Sequence, residues 1–476
     1  MRDSLVGYSG WLGYGHGERA DAWLARLEVN RPELELFRSA ETPPCPVYAP
    51  RAATVLPADG CDRTVELQSD AAAALRRARD HASLNAFTWI AESAAGVPVA
   101  VKDLMHVRGA PLSCGSKAFD RAVAEHDAEV VARLRRWGAA IVGLTNLHEF
   151  AAGVTSDNAH FGRVVNPAAP SRIPGGSSGG SAAAIAAGIV RLALGTDTAG
   201  SIRIPAACCG VVGFKPSYDA VPRDGVVDLA FSLDHVGPMA ASVGECAALF
   251  GALLDQPEMP PWSYRDLSGK TVARLGGYFA EPLDSEVRSA LDAAARALER
   301  DGAKIIGRDI EGMEAAPAIQ LNTLAPESAA FHAERLASRG EGYGEEVRVR
   351  LEMGLFFPGV WYLKAQRMRT RLVASIESAF DRADVLLCAT MRTPAPPVGA
   401  SRVAIGEREY ALHTAVTNLT MPFNLSGLPA ISVPWGRSRE GVPIGLQVVG
   451  RRGCDWQVLG FAERLERASP WSRADR

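Results

Sequence analysis

Along most of this 476-residue chain, runs of β-branched residues take turns with stretches whose apolar positions recur at helical spacing. After Asp70, AAAALRRARDHA puts its apolar residues on one helical face, and LNAFTWIAES reads as the strand that follows. VPVAVKDL is an apolar strand that ends in charge at Lys102 and Asp103. The spacing predicts a helix over 128–137, with Asp127 as its N-cap and Gly138 as its stop, then AAIVGLT as a buried strand. Residues 182–189 are alanine-rich and predict a helix that packs closely on its neighbours, followed by LALGTD as a strand.

The second half continues in the same manner. A proline-containing connector at 257–263 precedes the strand TVARLGG, a helix from Asp284 to a stop at Gly302, and the strand KIIGRDI. Residues 314–382 read as mainly helical with a break at Pro358. DVLLCAT is a strand, TPAPPVGA a proline-rich loop, and ISVPWG and GVPIGLQVVG are strands before a helix that starts at Asp455. This alternation predicts an α/β fold: a sheet covered by helices on both faces, with the helical 314–382 block over one edge. Residues 1–65, with PPCP at 43–46, are a weakly patterned leader in which no function is legible.

Composition narrows the class without choosing a chemistry. A net charge of −3 gives no reason to expect nucleic acid or an anionic membrane as partner. The longest nearly apolar run, 182–194, is interrupted by Arg191 and is too short to span a bilayer. MRDSLVGYSGWLGYGHG lacks the basic flank and apolar run of a signal peptide. The cysteines (Cys45, Cys61, Cys114, Cys208, Cys209, Cys246, Cys388 and Cys454) form no CxxC pair, which favours reduced thiols and a cytoplasmic location over disulfides or zinc.

The chemistry concentrates between 173 and 203. Two serine-bearing glycine segments lie there, PGGSSGGS with Ser177 and GTDTAGS with Ser201. Cleaving an amide without a metal needs a nucleophile, fixed donors for the oxyanion and a group to carry the proton. The small residues of Thr198-Ala199-Gly200-Ser201 make a turn whose successive N–H groups can converge on one point, with Ser201 as the acyl-forming nucleophile. Lys102, at the end of an apolar strand, suits the base, because desolvation lowers an ammonium pKa toward neutrality.

These segments, together with Asn166-Pro167, SIRIPA, CGVVGFKPS, SLDHVGPMA, TMPFNLSGLPAISVPWG and GVPIGLQVVG, resemble the amidase-signature family of serine amidohydrolases over about residues 70–465. The resemblance implies a large mixed sheet within an amidase domain at 66–476, with the core signature at 97–217 and a helical insert at 314–382. It implies a triad of Lys102, Ser177 and Ser201, in which Ser177 follows a cis peptide bond and relays the proton. An oxyanion hole of N–H groups from Thr198, Ala199, Gly200 and Ser201 goes with it. Ala151, Gly153 and Thr155, with Ser177, are expected beside the scissile bond, and Asp197 and Arg203 are expected to pair and brace the loop. Asn158 and Asn166 are expected to pin loop backbone. The expected partner is a small-molecule amide, with no cofactor and no metal; a homodimer is common among relatives. One departure is Ala199, where many members carry glycine; the TAGS variant is similar to malonamidases and allophanate hydrolases, and its methyl group narrows the approach to the backbone.

Other readings fit less well. Gly175-Gly176-Ser177-Ser178-Gly179 matches the nucleophile elbow G-x-S-x-G, but NPAAPSRIP before it cannot form the central strand such an elbow needs. The GKT at 269–271 lacks the glycine of a phosphate loop, and His148-Glu149 has alanine at 152 where a zinc-binding helix needs histidine. Within the family, the main reading is a stand-alone amidohydrolase of a small carboxamide. The alternatives are the glutaminase-type component of a glutamyl-tRNA amidotransferase complex and a biosynthetic acyl-transferring relative. Ile204, where that component usually has glutamine, departs from its pattern.

Overall fold

A computed structural model describes residues 45–471 except 57–59, 62–64, 68 and 257–258, so most of the leader and part of the 257–263 connector lie outside the described residues. Its strands are β1 (Phe87–Ile90), β2 (Val97–Lys102), β3 (Ala139–Thr145), β4 (Leu192–Asp197), β5 (Val212–Lys215), β6 (His235–Ala240), β7 (Thr271–Leu275), β8 (Lys304–Arg308), β9 (Val385–Ala389), β10 (Arg402–Ile405), β11 (Arg408–Ala411), β12 (Ala430–Arg437) and β13 (Pro443–Gly450). Eleven of them form one sheet in the order β1-β3-β2-β4-β6-β5-β12-β13-β9-β7-β8, and β10 and β11 pair apart. β3, β2 and β4 run parallel, as do β9, β7 and β8, while β6, β5, β12 and β13 pair antiparallel between the two parallel sets. The sheet is mixed, and helices cover both faces.

The two faces differ in side-chain size. Val99, Val101, Leu192 and Leu194 point into a cluster with Leu249, Phe250 and Trp456. Their strand neighbours Ala100 and Ala193 point to the other side, where they meet Ala182, Ala183 and Ala206. This is the period-two alternation of a strand buried on both sides, with bulk on one face only. The small face lets the helix Gly179–Ala186 approach closely: a Cβ on Gly180 would lie 2.3 Å from the Asn146 carbonyl oxygen. Truncating Val101 or Leu194 to alanine would remove burial on the bulky face and cost roughly 2–4 kcal/mol.

The predicted helical block comprises Ala316–Arg339, Glu345–Gly354 and Gly359–Ser378, with Pro358 at the N-cap of the third helix. It lies along the rim where β2 and β4 end. There Leu336, Val347 and Leu351 pack on Leu104, Leu112 and Phe150. Polar ties fix it as well: Gly344 N–H donates to Glu149 at 2.9 Å, and Arg369 donates to the carbonyls of Ser232 and Leu425.

Two readings need correction or completion. Asp127 is not a helix cap: the helix is Glu129–Arg136, Ala128 holds the N-cap position, and the Asp127 carboxylate accepts from the Arg108 N–H and the Arg135 guanidinium. β5, β6, the β10–β11 pair and the helices Arg203–Cys209 and Val243–Leu253 escaped the sequence reading, because they are short or carry proline and glycine inside. Among the described residues no helix is long and apolar enough to cross a membrane, and the eight cysteines are free thiols.

Candidate active site

β2 delivers Lys102 as its last residue into the sheet interior, with no exposed surface. Its Nζ lies 2.7 Å from Ser177 Oγ, 2.8 Å from Thr196 Oγ1 and 3.0 Å from Ser178 Oγ. Burial lowers its pKa to about 7, against the opposing pull of the Asp234 and Asp197 carboxylates. The three hydroxyls are not equivalent. Ser178 gives its hydrogen to the Thr196 carbonyl and accepts the Thr196 N–H, so it can only accept from the lysine. Ser177 Oγ has Lys102 as its one hydrogen-bond partner among the described residues. When the amine is neutral, its lone pair is therefore open to the Ser177 hydroxyl, or to that of Thr196, whose one partner among the described residues is also Lys102.

The glycine run is held against backbone on both sides. Gly175 has φ +73°, and a Cβ there would meet Pro205 at 2.7 Å; a Cβ on Gly176 would meet the Val154 carbonyl carbon at 2.7 Å. The Gly176–Ser177 peptide is cis. Ser156 Oγ donates to the Gly175 carbonyl, and the His148 N–H donates to the Ser177 carbonyl at 3.1 Å.

β4 ends at Asp197, and the following turn carries Ser201, 5% exposed, up to the helix Arg203–Cys209. The Ser178 N–H donates to the Ser201 carbonyl at 3.2 Å, which joins the two serine loops. Among the described residues no hydrogen bond links the Ser177 and Ser201 hydroxyls directly. The turn is organised by Asp197, whose carboxylate accepts the N–H groups of Gly200 at 2.8 Å and Ile202 at 3.2 Å. Gly200 therefore leaves the predicted oxyanion hole, because its N–H is already spent on Asp197. The position is glycine for another reason: φ is +132°, and a Cβ would lie 2.3 Å from Thr420 Oγ1. The Thr198 and Ala199 carbonyls are tied down by Gln320 Nε2 at 3.1 Å and Thr420 Oγ1 at 2.6 Å. Their N–H groups and that of Ser201 have no partner among the described hydrogen bonds.

Asp197 and Arg203 pair, both fully buried, through two contacts of 3.0 Å. Burial by itself would raise the Asp197 pKa; the Arg203 guanidinium overrides it and holds the carboxyl well below the usual range. Arg203 also donates to the Thr420 carbonyl, Asn424 and Gln447, so the turn is braced from the C-terminal strands. Asn158 and Asn166 pin backbone as expected, each donating to two carbonyls.

Beside Ala199 opens a cavity of about 630 Å³, lined on one side by His148 and Thr155, on another by Gln320 and Met353 of the insert, and by His413 and Met421. Thr155 thus shares a cavity wall with Ala199. Ala151 and Gly153 are not on this wall. Ala151 sits at φ +60° in the apolar cluster under the insert, and Gly153 makes room for the His148 ring, which a Cβ would strike at 2.2 Å. Phe356, Phe357, Trp361 and Tyr362 of the insert do not line the cavity.

Sequence reasoning missed Thr196 and Asp234. Thr196 precedes the end of β4 by one residue, and the parallel pairing of β2 with β4 is what carries it to Lys102. Asp234 lies in SLDHVGPMA, quoted for resemblance only; its carboxylate accepts from Thr198 Oγ1 at 2.6 Å and from the N–H groups of Leu229 and Ala230. Burial raises its pKa to about 6. Among the described residues no cluster of His, Cys, Asp and Glu is arranged to hold a metal.

Comparison with known proteins places this geometry in context. The family model described as Amidase matches residues 58–459. The chain is 36% identical over 420 residues to a component of the glutamyl-tRNA(Gln) amidotransferase of Cyanothece sp., covering 79% of this chain and 85% of that one. The crystal structure of an amidase superposes with a TM-score of 0.78 at 34% identity, covering 84% of this chain and 96% of its own. The crystal structure of a glutamyl-tRNA(Gln) amidotransferase component from Thermotoga maritima gives a TM-score of 0.73 at 31% identity, covering 85% and 92%.

Proposed function

The chain belongs to the amidase family, and from that premise we propose that it cleaves a carboxamide through an acyl-Ser201 intermediate. The observation that carries the reading is the fully buried Lys102 Nζ, 2.7 Å from Ser177 Oγ and with a pKa near 7. At neutral pH a substantial fraction of such an amine is uncharged and able to accept a proton.

In the proposed reaction Lys102 takes the Ser177 proton as Ser177 takes that of Ser201. The Ser201 Oγ–carbon bond forms, and the carbonyl oxygen collects negative charge in front of the N–H groups of Thr198, Ala199 and Ser201. Donors of this kind are each worth about 3–4 kcal/mol when fixed in advance. Collapse breaks the C–N bond, and the leaving nitrogen takes the proton back through Ser177. Water then repeats the sequence in reverse and frees the acid. The relay needs Ser177 and Ser201 to close on one another, a tightening that accompanies substrate binding in many hydrolases.

Two substrate readings follow. The relatives favour glutamine as the amide and partner chains as the consumers of its ammonia, because the amidotransferase component from Cyanothece sp. aligns over most of both chains. A specific observation favours a stand-alone amidase: Ile204 is fully buried beside the braced turn where that component usually has glutamine. The cavity wall also includes Val154, Ile173, Leu321 and Leu324, together with the charged Asp157, Arg163, Glu346 and Arg350. The test is ammonia release by the purified chain alone from glutamine and from a panel of primary carboxamides, dipeptide amides and ureido acids. Turnover of an apolar carboxamide without glutaminase activity supports the stand-alone enzyme, and glutamine turnover that rises with added partner chains supports the other. Failure of every amide, with no label on Ser201 from a fluorophosphonate, overturns both.

A further inference from the structure

Asp234 is a buried carboxylate that the proposed reaction does not use, and it is hydrogen-bonded to the turn that carries Ser201. Its Oδ1 accepts from the Thr198 hydroxyl at 2.6 Å, and Thr198 opens the turn that carries Ser201. Its Oδ2 is held by the Leu229 and Ala230 N–H groups, which fix the carboxylate from the far side. On its other flank a void of about 10 Å³ is lined by Asp234 together with Thr196, Thr198 and His235. Thr196 is one of the three hydroxyls on Lys102 Nζ. Thr196 thus borders both the amine and the void on which the carboxylate opens.

We propose that Asp234 is a positioning residue of this site: it anchors the nucleophile turn through Thr198, and its charge tunes how readily Lys102 releases its proton. The inference rests on the acyl-Ser201 reading. The ionic neighbourhood is small. Lys102 feels Asp234 and Asp197, and Asp103, next to it in the chain, is taken up by Ser113 and Thr88. Asp234 feels Asp228 and faces Arg223, while the His235 ring Nδ1 lies against the Leu233 and Asp197 carbonyls. Both carboxylates favour the ammonium, Asp234 more than Asp197, whose charge is shared with Arg203 at 3.0 Å. An anion nearby favours the ammonium; removing it favours the neutral base.

The experiment is the pH dependence of fluorophosphonate labelling at Ser201, followed by mass spectrometry, in the unmodified protein, in Asp234→Asn and in Thr198→Val. Asp234→Asn is expected to move the acid limb of the labelling rate to lower pH by about 0.5 unit or more. Thr198→Val loses the anchor, and with it a hydrogen bond that holds the Asp234 carboxyl down, so it is read on the alkaline plateau, where the carboxylate stays ionised; there its rate should fall roughly tenfold. An unmoved limb in Asp234→Asn, or an unchanged rate in Thr198→Val, overturns the corresponding part of the proposal. Should Asp234→Asn fail to fold, selective ¹³C labelling of lysine in the unmodified protein replaces it. The Lys102 Cε resonance should then titrate with a second inflection near pH 6, where Asp234 ionises, and a single inflection overturns the electrostatic coupling. Label on a residue other than Ser201 overturns the acyl-serine reading itself, a result distinct from either failure above.

Discussion

The Lys102 amine and the Ser177 hydroxyl lie 2.7 Å apart across 75 residues of sequence, one at the end of a strand and the other after a cis peptide. The contact depends on the alanine-lined face of the sheet, which admits the glycine-serine helix close enough for a short serine to reach a long lysine. Its first consequence concerns pH. With a pKa near 7, Lys102 should give kcat/KM an acid limb centred near pH 7, activity rising as the amine loses its proton. Lys102→Arg stays charged throughout, so its activity should fall by roughly 10³-fold or more and the limb should vanish. A retained limb would assign the proton to another group.

Covalent trapping separates the two serines. A fluorophosphonate should add mass to Ser201 and none to Ser177. Ser201→Ala should lose all labelling, whereas Ser177→Ala should still label at a rate lowered roughly 10²–10⁴-fold, the usual worth of a proton relay. Peptide mass spectrometry reads both.

Gly153→Ala should act on substrate binding. The new methyl group would meet the His148 ring at 2.2 Å and push it toward the cavity that it lines. The expected result is a KM raised roughly tenfold with kcat within about threefold of normal, measured on the best amide of the panel. Equal losses in both parameters would place His148 in the chemical step.

Arg203→Met should uncover the cost of the buried Asp197 carboxylate, about 3–5 kcal/mol at neutral pH. Because the folded protein holds this carboxyl below its ordinary pKa, the stability it contributes is present above about pH 4 and lost as the pH falls further. Urea unfolding at pH 7.5 and pH 3.5 should therefore show a gap between the unmodified protein and Arg203→Met that narrows in acid. A constant gap would mean that Arg203 acts through its contacts with Asn424 and Gln447 alone.

What the sequence made legible was local. VPVAVK and LALGTD read as strands from their β-branched and apolar runs, and the glycines around Ser177 and Ser201 announced turns that side chains would block. Pairing across distance was not legible. Nothing in HVGPMA as a string says that it runs antiparallel to β4, and so Asp234, just before it, could not be placed beside Thr198. The predicted oxyanion donors illustrate the same limit: a turn rich in small residues suggests converging N–H groups, but only the folded turn shows that Asp197 claims that of Gly200. Gly153 looked like a site of close substrate approach, and the approach it permits is that of His148.

Arg203 reaches Thr420, Asn424 and Gln447, each more than 200 residues further along the chain. A polypeptide emerging from the ribosome has made Ser201 long before it has made these contacts. Until β12 and β13 slot between the two parallel halves of the sheet, the turn bearing Ser201 lacks the scaffold that gives it shape. The bracing of that turn is therefore complete only once the last strands of the chain have been made.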